Sequence, residues 1–264
     1  MKAPFCVLSI AGSDSGGGAG IQVDQRTIRA IGGHALTAVT GVTAQDTRRV
    51  SAWARVSDAL IVAQVESALK GFPVAAIKTG LLPGPGAVRA VAKALRRAPM
   101  IPLVVDPVLA SSSGTRFLSK AAVGTLKQQL FPLASVVTPN WPEAAELTGL
   151  PVGTYFQAAK AATLLAEECG CAVLVKGGHA EGGTCRDCLL IPGNAPQWFE
   201  SARIATPNTH GTGCVLSAAI AAWLGRGASL QDSVRLARSF LLRALTRGQG
   251  IAWGGRGTAY FGAR

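Results

Sequence analysis

Thr209-His-Gly-Thr-Gly-Cys214 runs straight into Val215-Leu-Ser-Ala-Ala-Ile-Ala-Ala-Trp-Leu224, a segment apolar nearly all round and so expected to be a buried helix. A buried helix start must find partners for its free N–H groups, and its dipole favours negative charge there. Gly211, Thr212 and Gly213 let those amides converge on one oxyanion or phosphate. The plainer reading is a glycine turn capped by Thr212. Cys214 falls in the first turn, where a thiol is expected to ionise more readily and serve as a proton acceptor. Alone it would read as a small buried hydrophobe.

Other residues supply the remaining chemistry of moving a phosphoryl group. Lys176 offers a mobile positive charge for the transferred group. Asp106 and Glu143 suit Mg²⁺ held through waters, as it commonly accompanies nucleotide phosphates. Asn140-Trp-Pro-Glu143 reads equally well as a helix start, with Asn140 as N-cap. The cluster Gly12-Ser-Asp-Ser-Gly-Gly-Gly-Ala-Gly20 lacks both the Lys-Ser/Thr of a P-loop and the GxGxxG register of a dinucleotide fold. It is either a tight turn or a place where backbone approaches a small ligand, with Asp24 one turn into the next helix facing the same space. Cys185-Arg-Asp-Cys188 has zinc-knuckle spacing, but Cys188 opens an apolar run, so buried hydrophobes are expected there.

The elements that must hold these groups alternate. Strand-length apolar runs at Phe5–Ala11, Ala35–Thr43, Val74–Thr79, Ile101–Val105, Ser135–Val137 and Ala172–Val175 are separated by helical spacing. The helices are expected at Gly20–Ile31, Ser57–Lys70, Pro85–Arg97, Ser119–Phe131 and Thr154–Glu168, with Ser57, Ser119 and Thr154 as N-caps. This pattern predicts an α/β fold, a mostly parallel sheet covered on both faces. Ligands then sit beyond the carboxyl ends of the strands, where Gly12-Ser-Asp14, Gln45-Asp46, Lys78-Thr-Gly80, Asp106-Pro107, Thr138-Pro-Asn140 and Lys176-Gly-Gly-His179 gather. No linker or repeat divides the chain, so one domain is expected over residues 1–264.

Composition narrows the partners. With 48% apolar and 15% charged residues among 264, a disordered chain is excluded. The excess of 26 Lys+Arg over 14 Asp+Glu, a net +12, favours anions. The basic residues are scattered (Arg48-Arg49, Arg96-Arg97, and a loose series Arg226, Arg235, Arg238, Arg243, Arg247, Arg256), so no nucleic-acid partner is expected. The first apolar run leads into Asp14 and glycines rather than a cleavage site, and Cys214–Leu224 falls short of the ~18 apolar residues a membrane span needs. No membrane partner and a cytoplasmic location are expected.

Taken in order, Ile10-Ala-Gly-Ser-Asp-Ser-Gly-Gly-Gly-Ala-Gly-Ile-Gln22 with Asp24, Thr43-Ala-Gln45, Lys78-Thr-Gly80, Val105-Asp-Pro-Val108, Thr138-Pro-Asn140 with Pro142-Glu143, Val175-Lys-Gly-Gly-His179 and Thr209-His-Gly-Thr-Gly-Cys-Val-Leu-Ser217 form one set. The set resembles the hydroxymethylpyrimidine and hydroxymethylpyrimidine-phosphate kinases of thiamin biosynthesis, within the ribokinase-like superfamily. The resemblance implies a three-layer αβα ribokinase-like fold, ATP and Mg²⁺ as cofactors, a small-molecule pyrimidine substrate and a homodimer. It implies that Gly12, Asp24 and Gln45 line the pyrimidine pocket, with Gln45 bonding the aminopyrimidine edge and Leu81 and Val108 packing on the ring. Gly211, Thr212 and Gly213 would form the anion hole, Cys214 would act as general base, Lys176 would meet the γ-phosphate, and Asp106 and Glu143 would organise Mg²⁺. Such enzymes phosphorylate the hydroxymethyl group of 4-amino-5-hydroxymethyl-2-methylpyrimidine and then the monophosphate so formed. The rival expectations are a pyridoxal or pyridoxine kinase and a non-catalytic pyrimidine-binding module. Three positions depart from the pattern: Asp46 in place of Asn, Leu81 in place of Met, and the tail Gly250–Tyr260.

Overall fold

The computed structural model describes residues 4–111, 114, 116–251, 253–255 and 257–259; Ala252, Arg256 and Tyr260 of the expectations above lie outside them. In chain order the elements are β1 (Cys6–Asp14), α1 (Gly20–Ala30), β2 (His34–Gln45), β3 (Val50–Arg55), α2 (Asp58–Gly71), β4 (Val74–Thr79) and α3 (Pro85–Leu95). Then come β5 (Leu103–Val105), α4 (Lys120–Thr125), β6 (Val136–Val137), α5 (Trp141–Thr148), α6 (Tyr155–Cys169) and β7 (Ala172–Val175). The chain continues through β8 (Thr184–Leu190), β9 (Gln197–Ala202), α7 (Thr212–Gly225) and α8 (Leu230–Arg247).

One nine-stranded sheet has the order β3-β2-β1-β4-β5-β6-β7-β8-β9. Strands β2, β1, β4, β5, β6 and β7 run parallel, while β3, β8 and β9 are antiparallel additions at the two edges. Successive side chains on a strand point to opposite faces, and here both faces are buried. Leu8, Ile10, Ile77, Val105, Val137 and Val175 pack under α2, α3, α5 and α6, with Ile61, Val65, Val91, Leu147 and Leu165. Val7, Ala76, Val104, Val136 and Leu174 face the other way, onto α1, α7 and α8 through Ile28, Leu216, Ile220 and Val234. This is the expected three-layer αβα fold.

Ser57, Ser119 and Thr154 cap as expected, their hydroxyls accepting from the N–H of Leu60, Ala122 and Gln157. The helix expected over Ser119–Phe131 is not uniform. It is α-helical to Thr125, π-helical over Leu126–Leu130 and 3₁₀ over Phe131–Leu133, where Pro132 cannot continue an α-helix. Strands β3 and β9 and helix α8 were not anticipated. α8 turns Val234, Ala237 and Ala244 inward, and among the described helices none is long and apolar enough to cross a membrane.

Candidate active site

A cavity of about 590 Å³ opens where the carboxyl ends of the parallel strands meet the start of α7. Gly12, Gln45, Leu81 and Val108 line it, together with Asp106, Glu143, Lys176 and the Gly211–Cys214 turn. Gly12 leaves the room it must: a Cβ there would sit 3.1 Å from Leu81 Cδ2.

The phosphate-sized end is built from backbone. Gly211 takes the left-handed conformation, φ +75°, and is the N-cap of α7 without any side-chain cap. The alternative of a Thr212 cap is therefore corrected, because the Thr212 hydroxyl donates to the Thr209 carbonyl at 3.0 Å instead. The helical ladder begins with Val215 N–H on Gly211 O at 2.9 Å, which leaves the preceding turn facing the cavity. A Cβ on Gly213 would lie 3.2 Å from Lys176 Nζ, so the turn and the lysine face one small volume.

Lys176 is not the mobile charge expected. Its ammonium donates to Asp106 Oδ1 at 2.7 Å and stands 3.8 Å from Glu143 Oε2, with the side chain largely buried. Asp106 also accepts from Ser217 Oγ at 3.1 Å and from Thr138 Oγ1 at 3.4 Å. Burial disfavours its charge, yet Lys176 and Lys78 outweigh burial and hold the Asp106 carboxyl below its usual range. The backbone that carries Lys176 is clamped as well: Gly177 N–H donates to Asp187 Oδ1 at 2.6 Å, and Asp187 is paired with buried Arg238 of α8. Asp187, the residue between Cys185 and Cys188, thus serves the loop after β7, and Cys188 lies in the core.

Glu143 realises both readings of its motif. Its Oε2 accepts from Asn140 N–H at 2.8 Å while Asn140 Oδ1 accepts from Glu143 N–H at 2.9 Å, a complete capping box. It also lines the cavity. Burial pushes its carboxyl up to about 7 against the pull of Lys176, with the charge of Asp106 adding to the rise. Two buried carboxylates around one ammonium are short of positive charge, and their hard oxygens fit a site for Mg²⁺.

Two more expectations are corrected. Asp24 does not reach the cavity: fully buried, its Oδ2 accepts from Lys78 Nζ at 2.8 Å and from Ser9 Oγ at 2.5 Å. The residue it holds, Lys78, is the one at the cavity wall. Cys214 is in the first turn, but its thiol is not made acidic. Burial pushes it up to about 11; Lys78 pulls the other way, and the nearby Asp106 and Asp24 carboxylates add to the rise. Removal from water is the largest influence on it.

Asp14, His210 and Lys78 lay inside the quoted motifs without an assigned role. Asp14 Oδ1 accepts from Gly16 N–H at 2.8 Å, and its Oδ2 from Gly18 and Ala19 N–H at 3.0 and 2.8 Å. Burial opposes its charge, but His210 and these amides hold its carboxyl below the usual range. The same Oδ2 stands 3.0 Å from His210 Nε2, joining the first glycine loop to the turn before α7. For Lys78 the available signal was a single charge within the apolar run Val74–Thr79.

The family model for phosphomethylpyrimidine kinase matches residues 14–258. A hydroxymethylpyrimidine/phosphomethylpyrimidine kinase of Rhizobium meliloti is 42% identical over 255 residues, 96% of this chain and 95% of that protein. The thiamine biosynthesis bifunctional protein ThiED of Geobacter sulfurreducens is 39% identical over 96% of this chain, which spans only 52% of its length. Among solved structures, the ADP complex of Bacillus subtilis pyridoxal kinase superposes with a TM-score of 0.86 at 33% identity, covering 92% of each chain.

Proposed function

Because the chain belongs to the phosphomethylpyrimidine kinase family and is a phosphotransferase, we propose that it moves the γ-phosphoryl group of ATP onto 4-amino-5-hydroxymethyl-2-methylpyrimidine and then onto the monophosphate, yielding the pyrophosphate used for thiamin synthesis. The observation that carries this reading is that one cavity joins the ring-facing residues Gly12, Gln45, Leu81 and Val108 to the Gly211–Cys214 turn and Lys176. Arg203, Ile204, Leu241 and Leu245 line the same cavity and offer the nucleotide one cation and an apolar wall for a base. Arg203 also donates to the carbonyls of Gly178, Ala180 and Gly182, fixing the loop after β7.

The residues divide the work. The amides of Gly213 and Cys214 and the ammonium of Lys176 stabilise charge on the transferred group, the Thr212 N–H being turned to the Thr209 carbonyl. Asp106 and Glu143 are the residues that would hold Mg²⁺, which when bound neutralises phosphate charge. Leu81 and Val108 exclude water from the ring.

Proton removal is needed only for the first acceptor, since the monophosphate already presents an anionic oxygen. A thiol with its pKa near 11 is almost wholly protonated at neutral pH, so Cys214 acts as base only through its small thiolate fraction. Accordingly, kcat/KM for the free pyrimidine should climb about tenfold per pH unit above neutrality, towards that pKa. In Cys214→Ala this slope should vanish, with a loss of about 10²-fold on the first acceptor and much less on the monophosphate. Equal losses on both acceptors with the slope retained would remove Cys214 from proton transfer.

The likeness to pyridoxal kinase carries the second reading, a kinase of pyridoxal. Steady-state assays with the free pyrimidine, its monophosphate and pyridoxal separate the two. Turnover of both pyrimidines is expected; turnover of pyridoxal alone would overturn the assignment. Tight pyrimidine binding without any ATP consumption would instead show a non-catalytic binding module.

A further inference from the structure

His210 meets two partners through a single atom. Its Nε2 is 3.0 Å from Asp14 Oδ2 and 2.9 Å from the Gln45 side-chain amide, whose nitrogen, as placed, faces it. Asp14 Oδ2 already accepts two backbone N–H groups, so it is an ionised acceptor. An imidazole nitrogen 3.0 Å from such an oxygen must carry hydrogen, since a bare lone pair would face a carboxylate. A nitrogen bearing hydrogen cannot accept from the amide nitrogen of Gln45, and that arrangement sets donor against donor. A half-turn of the amide removes the conflict by placing Oε1 on His210, whose single Nε2 hydrogen is then shared between the Asp14 and Gln45 oxygens. The NH₂ group of Gln45 then faces the cavity that both residues line.

We propose that His210, held by Asp14, is a specificity-determining positioning residue that locks the Gln45 amide with its oxygen outward and its NH₂ group towards the ligand ring. This rests on the proposed pyrimidine site and adds which hydrogen-bonding pattern the site selects. The NH₂ group pairs with a ring nitrogen that carries a lone pair, as in the aminopyrimidine. It opposes a ring position that carries N–H, as in the 4-oxo analogue of the same molecule. The Gln45 backbone cannot swing to compensate, because its N–H donates to Ser15 Oγ at 2.8 Å and its carbonyl accepts from the same hydroxyl at 2.9 Å. His210 is anchored in turn by its backbone N–H, which donates to Gly257 O at 3.0 Å.

The test is calorimetric binding of the aminopyrimidine and its 4-oxo analogue to the full chain. The native protein should prefer the amino ring by about 10²-fold or more, because a site built for one pattern leaves polar groups unpaired with the other. In His210→Leu the amide can turn to suit either ring, and the preference should shrink to about threefold or less. His210→Gln restores an N–H donor at that place and should restore the preference. A purely structural role would weaken both rings alike, so a preference surviving in His210→Leu, or absent from the native protein that binds the amino ring, overturns the inference. If the native protein binds neither ring, the pyrimidine assignment itself fails. Should His210→Leu not fold, nitrogen NMR of the native protein decides: with only three histidines, His210 is assignable using His34→Gln and His179→Gln. A hydrogen on His210 Nε2 is required, and a bare Nε2 overturns the proposal.

Discussion

Gly213→Asp is expected to abolish both phosphorylations, with kcat/KM falling about 10³-fold or more on either acceptor. The new Cβ would stand 3.2 Å from Lys176 Nζ and 3.9 Å from Asp106 Oδ2, so the added carboxylate lands in the volume meant for a phosphate. It would pair with the ammonium that the phosphate needs and repel the phosphate itself. Gly213→Ala separates size from charge. Its methyl group asks only for a few tenths of an ångström from the Lys176 ammonium, and a loss of about tenfold or less is expected. Steady-state kinetics of the two variants on both pyrimidines make the comparison. Similar losses in the two would show that crowding, not charge, closes the site.

Gly211→Ala should be nearly as damaging, by a different route. Gly211 has φ +75°, and a Cβ there would overlap the Gly18 carbonyl oxygen, with Ala19 Cα 3.2 Å away. The glycine loop after β1 and the turn before α7 therefore cannot both keep their places. Activity should fall about 10²–10³-fold, as when an oxyanion donor is displaced. The melting temperature should drop by about 10 °C, reflecting strained backbone and a lost contact between distant segments. Thermal unfolding beside kinetics reads both effects, and a native melting temperature with native activity would refute the close approach.

The core was legible because burial on both sheet faces leaves a simple mark. Runs such as Val74–Thr79 and Ala172–Val175 are apolar without alternation, and their bounds agree with β4 and β7. The glycine turn before α7 was legible because an all-apolar helix needs an answer for its exposed amides. Pairings between remote residues were not. Asp24 reads as a ligand-facing carboxylate until Lys78, 54 residues on, is seen to occupy it. Arg238 reads as one more surface base until Asp187, 51 residues back, draws it into the core. Cys214 shows the same limit: its place in a helix is written locally, whereas the burial and carboxylates that decide its acidity come from elsewhere. Helix α8 was the avoidable omission, since Ser229-Leu-Gln-Asp232 carries a capping signature and the Ser229 hydroxyl does accept from Asp232 N–H.

The stitching around the first glycine loop bears on when the enzyme becomes an enzyme. Asp14 is tied to His210 across 196 residues, and Gly18 O accepts from Thr258 Oγ1 across 240. His210 and Thr258 also form a parallel bridge beside the loop. On the ribosome, β1, β2 and β4 can pair and cover one face with α2 and α3 before these contacts exist, while the face carrying Val7 and Ala76 waits for α7 and α8. The loop they leave behind stays unclosed until residue 258 has been synthesised and has left the tunnel. A nascent chain can therefore own part of its hydrophobic core while lacking a closed site, which is complete only after translation has passed that last stitch.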